Sequence, residues 1–223
     1  LSIVTVGILA SMLLPALARA KAKANRIKCV NNLGSIGKSL TGFAQDNGER
    51  MPWQLSEIQQ FNHKFGSPDV GVGSAAQVVN IGAMRSELQT PKILISPSDP
   101  GRMAGNEMLQ ANWVGASETD IAAGLSYVFA APGGDVQRPS TVLALTRNIR
   151  SDLTSDWTGA DYSPVHPHAF AGLNKSQGQM VLSDGSAKQS SNADLGSHGR
   201  ITKAHVNSRG GQTQGNASPA VLR

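Results

Sequence analysis

The chain has very few cysteines and aromatic side chains, and both shortages narrow the classes of protein that it can represent. Its 223 residues include one cysteine, Cys29, which excludes an internal disulfide and any metal site built from a cysteine cluster. Aromatic residues make up 4% of the chain, against 24 glycines, which argues against a large aromatic-rich catalytic core.

Acidic residues are also missing from the first part of the chain, up to Asp46. The formal net charge is +5, but five positive charges follow one another closely in this acid-free part, and the rest of the chain is close to neutral. We therefore do not expect a nucleic acid as the primary partner. This basic collar consists of Arg19, Lys21, Lys23, Arg26 and Lys28.

An uncharged, mostly apolar run precedes the basic collar and extends from Leu1 to Ala18. Basic residues follow this run instead of preceding it, which argues against a secretory leader. A bilayer-spanning helix needs about 20 apolar residues, so the run predicts a membrane-embedded helix if the chain starts a little further upstream. A buried helix of a soluble protein is the alternative, but the run has no clear N-terminal capping group.

The helical pattern continues beyond the apolar run, because apolar residues recur at spacings of three and four until the turn signal Asp46-Asn47-Gly48. We predict one helix over 1–46, with an apolar half at 1–18 and an amphipathic half at 19–46. Pro15 should kink or locally melt it. The predicted head-packing stripe consists of Ile27, Val30, Leu33, Ile36, Leu40 and Phe43.

Residues 47–195 are expected to form a globular head of the α+β class. The sequence predicts a helix around Ala75 to Glu87 and short strands at KILIS, SYVFAA, TVLALT and GQMVLSDGSAKQ. Asp184 and Gly185 should form the turn of the last hairpin through positive backbone angles. An antiparallel sheet laid on the second half of the helix would bury its stripe. Residues 196–223, rich in Gly, Ser and Asn, are predicted to be a mobile tail.

Candidate catalytic and metal-binding residues are few. Ser183 next to Asp184 lacks the small-residue elbow of a serine hydrolase, and no general base can be placed beside it. His166 and His168 could pair on zinc, but satisfied loop histidines are the better interpretation. We therefore expect no enzymatic activity and no cofactor.

Several stretches together resemble the type IV pilin-like proteins, the prepilin-type cleavage and methylation family that includes pilins and type II secretion pseudopilins. The first is LSIVTVGILASMLLPALARAKAKANRIKCVNNLGSIGKSLTGFAQDNGERMP. The similarity is greatest to the set found in Verrucomicrobia and Planctomycetes, in which an apolar run ending MLLPAL is followed by a basic Ala-rich helix, C-V-N-N-L and D-N-G. PKILISPSDPGR, GLSYVFAAPGG, RPSTVLALTRNI and MVLSDGSAKQ extend the resemblance over most of the chain.

The resemblance implies a lollipop-shaped subunit, in which a long kinked helix packs on a small antiparallel sheet, of a type IV pilus-like extracellular filament. Its partners would be identical subunits in a helical homopolymer, the inner membrane before assembly, and the pilus or secretion assembly machinery. The alternative is a minor pseudopilin of a type II secretion system that stays largely tethered to the membrane. Some pseudopilins bind calcium in the head, which makes Asp152, Asp156 and Asp161 weak calcium candidates against the alternative of a solvated loop.

The chain departs from the family at its beginning. Pro15 lies about seven residues closer to the first residue than in the family, and no glutamate precedes it. We therefore expect that the numbering begins inside the mature helix; if Leu1 were the mature end, Thr5 would stand at the place of the assembly glutamate.

In a filament, the apolar half would form the core, Pro15 would permit local unwinding, and small residues such as Gly7 would allow close helix approach. Asp46 and Glu49 of adjacent copies are candidate partners for the basic collar. The expected assembly core consists of Leu1, Ile3, Val4, Val6, Gly7, Ile8, Leu9, Met12, Leu13, Leu14, Pro15 and Leu17.

Overall fold

One long helix, α1, occupies Ser2–Asp46. The computed structural model describes residues 2–63, 72–103, 112–159, 170–212 and 214–223, and for residues 2–10 it describes the backbone alone. The helix continues unbroken through Pro15, where we predicted a kink or local melting. Proline removes one backbone hydrogen bond, and the strong helix formers Leu and Ala on either side keep the backbone helical there.

The end of α1 lies where the turn signal predicted it. Gly48 adopts a positive φ of 68°, and the amides of Asn47 and Glu49 both donate to the carbonyl oxygen of Ala44, at 3.1 and 2.6 Å. The Asn47 side chain also donates to the carbonyl oxygen of Phe43 at 2.8 Å. These bonds satisfy carbonyls that a helix end otherwise leaves without partners, and they turn the chain into the head.

Four antiparallel strands form one sheet in the order β1-β2-β3-β4, so the architecture is α+β. The sheet contains β1 at Tyr127–Phe129, β2 at Val142–Thr146, β3 at Gln177–Leu182 and β4 at Ala187–Ser191. Its face packs against the second half of α1, which contacts β2, β3 and β4. Residues 47–223 are called the head below.

The turn between β3 and β4 uses Asp184 and Gly185 in different ways. Gly185 has a φ of 84°, as predicted, but Asp184 does not adopt a positive φ. The carboxylate of Asp184 instead accepts hydrogen bonds from the amide and the hydroxyl of Ser186, at 2.8 and 2.6 Å. The turn thus combines an Asx-type bond with one left-handed glycine.

The buried stripe of α1 differs from the predicted one at its beginning. Leu33, Ile36, Leu40 and Phe43 are buried, whereas Val30 is half-buried and Ile27 is 49% exposed. Each spacing of three residues falls about 60° short of a full helical turn, so three such steps place Ile27 on the side opposite Ile36. Cys29 takes the place on the buried face that the prediction gave to Ile27.

The helices between α1 and the sheet are short. Besides 3-10 turns at Pro52–Gln54 and Pro91–Leu94, the structure has α2, α3, α4, α5 and α6 at Glu57–Asn62, Ala75–Asn80, Gly82–Leu88, Pro100–Met103 and Glu118–Gly124. The helix predicted around Ala75 to Glu87 is therefore two helices, α3 and α4, separated at Ile81, whose ψ of 133° is not helical.

The strand predicted at KILIS is wrong, because Pro91–Leu94 forms a 3-10 turn. Pro91 presets the backbone angle of the first position, and the Thr90 hydroxyl accepts a hydrogen bond from the Lys92 amide at 3.4 Å. Leu94 and Ile95 are buried and Ile93 is half-buried in this segment, which contacts α1 as a turn instead of as a strand.

Residues 196–223, which were predicted to be a mobile tail, pack on the head in the part that the structure describes. They form a helix, α7, at Arg200–Val206, and Leu222 exchanges both backbone hydrogen bonds with Phe129 of β1, at 2.7 and 3.1 Å. His205 is buried in this segment, with Nδ1 accepting from the Val142 amide at 3.0 Å and Nε2 donating to the Ser218 carbonyl oxygen at 2.7 Å. Although residues 196–223 contain few large apolar side chains, the backbone pairing of Leu222 and the buried, neutral His205 keep this segment packed on the head.

Candidate assembly surface on the long helix

The first half of α1 projects from the head. Every residue from Ser11 to Ala24 is exposed, and the head begins to cover the helix at Asn25. At about 1.5 Å per residue, the helix from Ser2 to Ala24 extends roughly 35 Å beyond this point. From Ser11 to Ala24, the side chains of this projection form a surface that the chain's own head does not bury.

Large apolar side chains lie on this projection in contact with solvent. Met12, Leu13, Leu14 and Leu17 are 71%, 66%, 66% and 67% exposed. Their positions on a helix cover about 200° of its circumference, so they form an apolar band and not a single stripe. Exposed apolar surface of this extent typically marks an interaction site. We call these four residues the apolar band.

The structure describes the other residues of the expected assembly core in less detail. Pro15 is exposed within α1, and Leu1 lies outside the described residues. The others occupy the first part of α1, where only the backbone is described: Ile3, Val4, Val6, Gly7, Ile8 and Leu9. Across the residues that the structure does describe, no helix has both the length and the apolar content needed to cross a membrane.

The basic collar lies between the apolar band and the head. Arg19, Lys21, Lys23 and Lys28 are exposed, and Arg26 is half-buried where the helix meets the head. The ion pairs formed among the described residues do not include any member of this collar. Since Asp46 lies 18–27 residues further along the same continuous helix, roughly 27–40 Å away at about 1.5 Å per residue, it cannot reach the collar of its own chain.

Three contacts hold α1 on the head at the point where the helix leaves it, and none of them was predicted from the sequence. The Asn25 side chain donates to the carbonyl oxygen of Pro97 at 3.3 Å, and the Gln179 side chain donates to that of Arg26 at 3.0 Å. The sulfur of Cys29 lies 3.4 Å from the hydroxyl of Tyr127, and burial raises the pKa of this thiol to about 11. Cys29 is therefore a neutral packing residue at this junction.

The carboxylates proposed for calcium do not assemble into a site in the described part of the chain. The carboxylate of Asp152 accepts hydrogen bonds from the amide and hydroxyl of Thr154, at 2.8 and 2.6 Å, as in an Asx turn. No group of three potential metal-binding side chains occurs among the described residues, which include Asp152 and Asp156. Asp161, His166 and His168 lie outside them.

Comparisons of the chain with models of protein families, with curated proteins and with solved structures found no match.

Proposed function

We propose that the chain is a structural subunit of a type IV pilus-like extracellular filament, held in the inner membrane and delivered by an assembly machinery before it polymerises. The observation that carries this proposal is the apolar band on the projecting half of α1. An apolar helix that leaves its own head can avoid water only in lipid or among other helices. A filament subunit has lipid around its helix before assembly and other helices around it afterwards.

The energetics favour a bundle over a pair. Burying one exposed Leu or Met side chain fully contributes about 1.5–3 kcal/mol, so burying the exposed two-thirds of the band contributes on the order of 4–8 kcal/mol per copy. Association costs an estimated 4–15 kcal/mol in lost freedom. Because the band covers about 200° of the helix, one neighbour covers only part of it, and several neighbouring helices are needed to realise the full gain.

Charge supports a staggered arrangement of parallel copies. The basic collar needs acidic partners, and Asp46 and Glu49 near the end of α1 are candidates. The separation of roughly 27–40 Å along the helix between collar and Asp46 gives the axial shift that would bring the collar of one copy beside the acids of another. In that register the apolar bands of successive copies follow one another along the centre of the bundle, each beside the second half of a neighbouring helix, and the heads cover the outside.

Microscopy of the cells that make this protein tests the proposal. Material sheared from their surface should contain filaments that an antibody to the head labels along their length. Recovery of the protein only with the inner membrane would favour the alternative, a minor pseudopilin whose helix stays in lipid. Recovery in neither fraction, as a free monomer, would refute both.

A matched pair of substitutions makes the test specific to the apolar band. Leu13→Gln places a polar group in the band and should sharply reduce sheared filaments, because its amide would be buried without a partner. Ile58→Gln is the control, because Ile58 lies on the head in α2 and is 71% exposed. Equal filament yields from the two variants would contradict a filament core at the band.

A further inference from the structure

An open groove of about 560 Å³ lies between α1 and the head, close to the point where the helix leaves the head. One wall belongs to α1 at residues 28–32, and the other contains apolar residues of the head: Ile93, Ile95 and Pro97. Lys28 and Lys92 also line the groove, and both are exposed. Sites of about 300–1,000 Å³ bury a small ligand, so the groove has room for large side chains.

The groove lies on the same side of α1 as the apolar band. On a continuous helix with about 100° per residue, the band covers roughly 0–200° when angles are measured from Met12. On the same scale Asn31, Lys28 and Asn32 lie at about 100°, 160° and 200°. Cys29, which the head buries, lies further round at about 260°. A neighbouring helix that packs along the band side of α1 therefore passes through the groove.

The axial shift that pairs the basic collar with acids also brings an apolar band to the level of the groove. A shift of 18 residues, about 27 Å, places Lys28 of one copy beside Asp46 of the next. The same shift places residues 12–14 of the first copy level with residues 30–32 of the next. Because the band covers about 200° of its helix, part of it faces the groove over a wide range of rotations between copies. One pair of copies can thus make both contacts.

The chemistry of the groove suits an uncharged apolar helix. Residues 1–18 carry no charge, so the two lysines of the groove meet no like charge there. Lys28 and Lys92 can cover the incoming side chains with their aliphatic stems while their ammonium groups stay in water. The apolar wall of the head then contacts side chains that water would otherwise surround.

We propose that this groove binds the apolar band of an adjacent copy. The proposal rests on the filament function proposed above, and it names the surface of the head that receives the helix. Each head would then hold the helix of its neighbour at the point where its own helix leaves it. The band would be buried by a head as well as by other helices.

Cross-linking between introduced cysteines tests this contact in the cells that make the protein. A chain with Leu14→Cys and Asn31→Cys should form a ladder of linked copies when sheared material and membranes are treated with a short bismaleimide. Residues 14 and 31 of one chain lie about 25 Å apart along the helix, so a short linker joins them only between copies. Cys29 stays in every variant, and its burial and its pKa of about 11 make it slow to react.

Leu14→Cys combined with Ile58→Cys is the matched control, because Ile58 is exposed on the head and does not line the groove. The groove pair should give about tenfold more linked product than the control pair, because sites held together in one assembly meet at a high effective concentration. Met12→Cys with Lys92→Cys repeats the test from the opposite wall of the groove, should the first pair reduce assembly.

The outcomes separate this contact from the filament function. Filaments that give no more product with the groove pairs than with the control pair would overturn the contact and leave the filament function intact. Products that join the groove cysteines to a different protein, identified by mass spectrometry, would also overturn it. Product from the groove pairs in membranes of cells without filaments would support the contact and contradict the filament function. Absence of both product and filaments would refute both.

Discussion

The packing of α1 on the sheet predicts opposite outcomes for the same substitution at two glycines three residues apart. A Cβ added at Gly34 would lie 3.6 Å from the Cβ of Ala187, an ordinary contact, whereas one added at Gly37 would lie 2.6 Å from Cγ2 of Val181. Val181 is fully buried in β3, and its β-branched side chain has little freedom to move. Alanine therefore fits at Gly34 and collides at Gly37.

The magnitudes follow from two opposing contributions. Replacing a helix-interior glycine by alanine stabilises a helix by about 0.8–1.0 kcal/mol, and this applies to both positions. Forcing an extra carbon into a packed core costs about 1–3 kcal/mol, and this applies to Gly37→Ala alone. We therefore expect Gly34→Ala to stabilise the protein slightly, and Gly37→Ala to be less stable than Gly34→Ala by about 1–3 kcal/mol.

Urea unfolding of the full chain in nonionic detergent, followed by tryptophan fluorescence, measures this difference, because all three tryptophans lie in the head. Thermal melting should agree, with a separation of about 2–4 °C per kcal/mol for a chain of this size. Circular dichroism before unfolding shows whether both variants are equally helical. If Gly37→Ala proves as stable as Gly34→Ala, the contact between α1 and β3 is not as described.

Two further predictions concern charge. Replacing Lys21 and Lys23 together by Glu should lower the yield of sheared filaments, and adding Asp46→Lys should restore part of that yield. Lys203→Glu, on α7, is the control. An unchanged yield in the double variant would contradict the staggered pairing. Burial lowers the pKa of His205, so the unfolded chain binds a proton more readily than the folded one, and stability should fall as the pH drops below about 6.5. Melting curves at pH 7, 6 and 5 should show a smaller loss in His205→Gln than in the unmodified chain, and parallel losses would refute the assignment.

Features specified by neighbouring residues could be predicted from the sequence. The end of α1 follows from Asp46-Asn47-Gly48, and the β3–β4 hairpin follows from two short strand patterns around the turn Asp184-Gly185. The error at Ile27 has a geometric cause, because counting spacings of three ignores their cumulative drift around a helix. The 3-10 turn at Pro91–Leu94 replaces a strand because proline and the Thr90 cap decide the local backbone there.

Features that depend on contacts between distant parts of the chain could not be predicted from the sequence. The packing of residues 196–223 depends on partners far away in the chain, such as Phe129 for Leu222 and Val142 for His205. A cavity in the head likewise brings together Arg102, Arg147 and Arg223, which no spacing rule connects. The apolar band, by contrast, could be predicted from the sequence, because a helix that is longer than the domain on which it packs leaves apolar residues exposed.

The long separation between Gly37 and its contact Val181 also bears on how the protein is made. A ribosome adds about 5–20 residues per second, so β3 is synthesised roughly 7–30 s after the helix segment that it covers. During that interval the nascent chain presents both the apolar band and the stripe from Leu33 to Phe43 without the strands that shield the latter. Because β3 comes so late in the chain, a lipid surface or a chaperone must cover the emerging helix during synthesis.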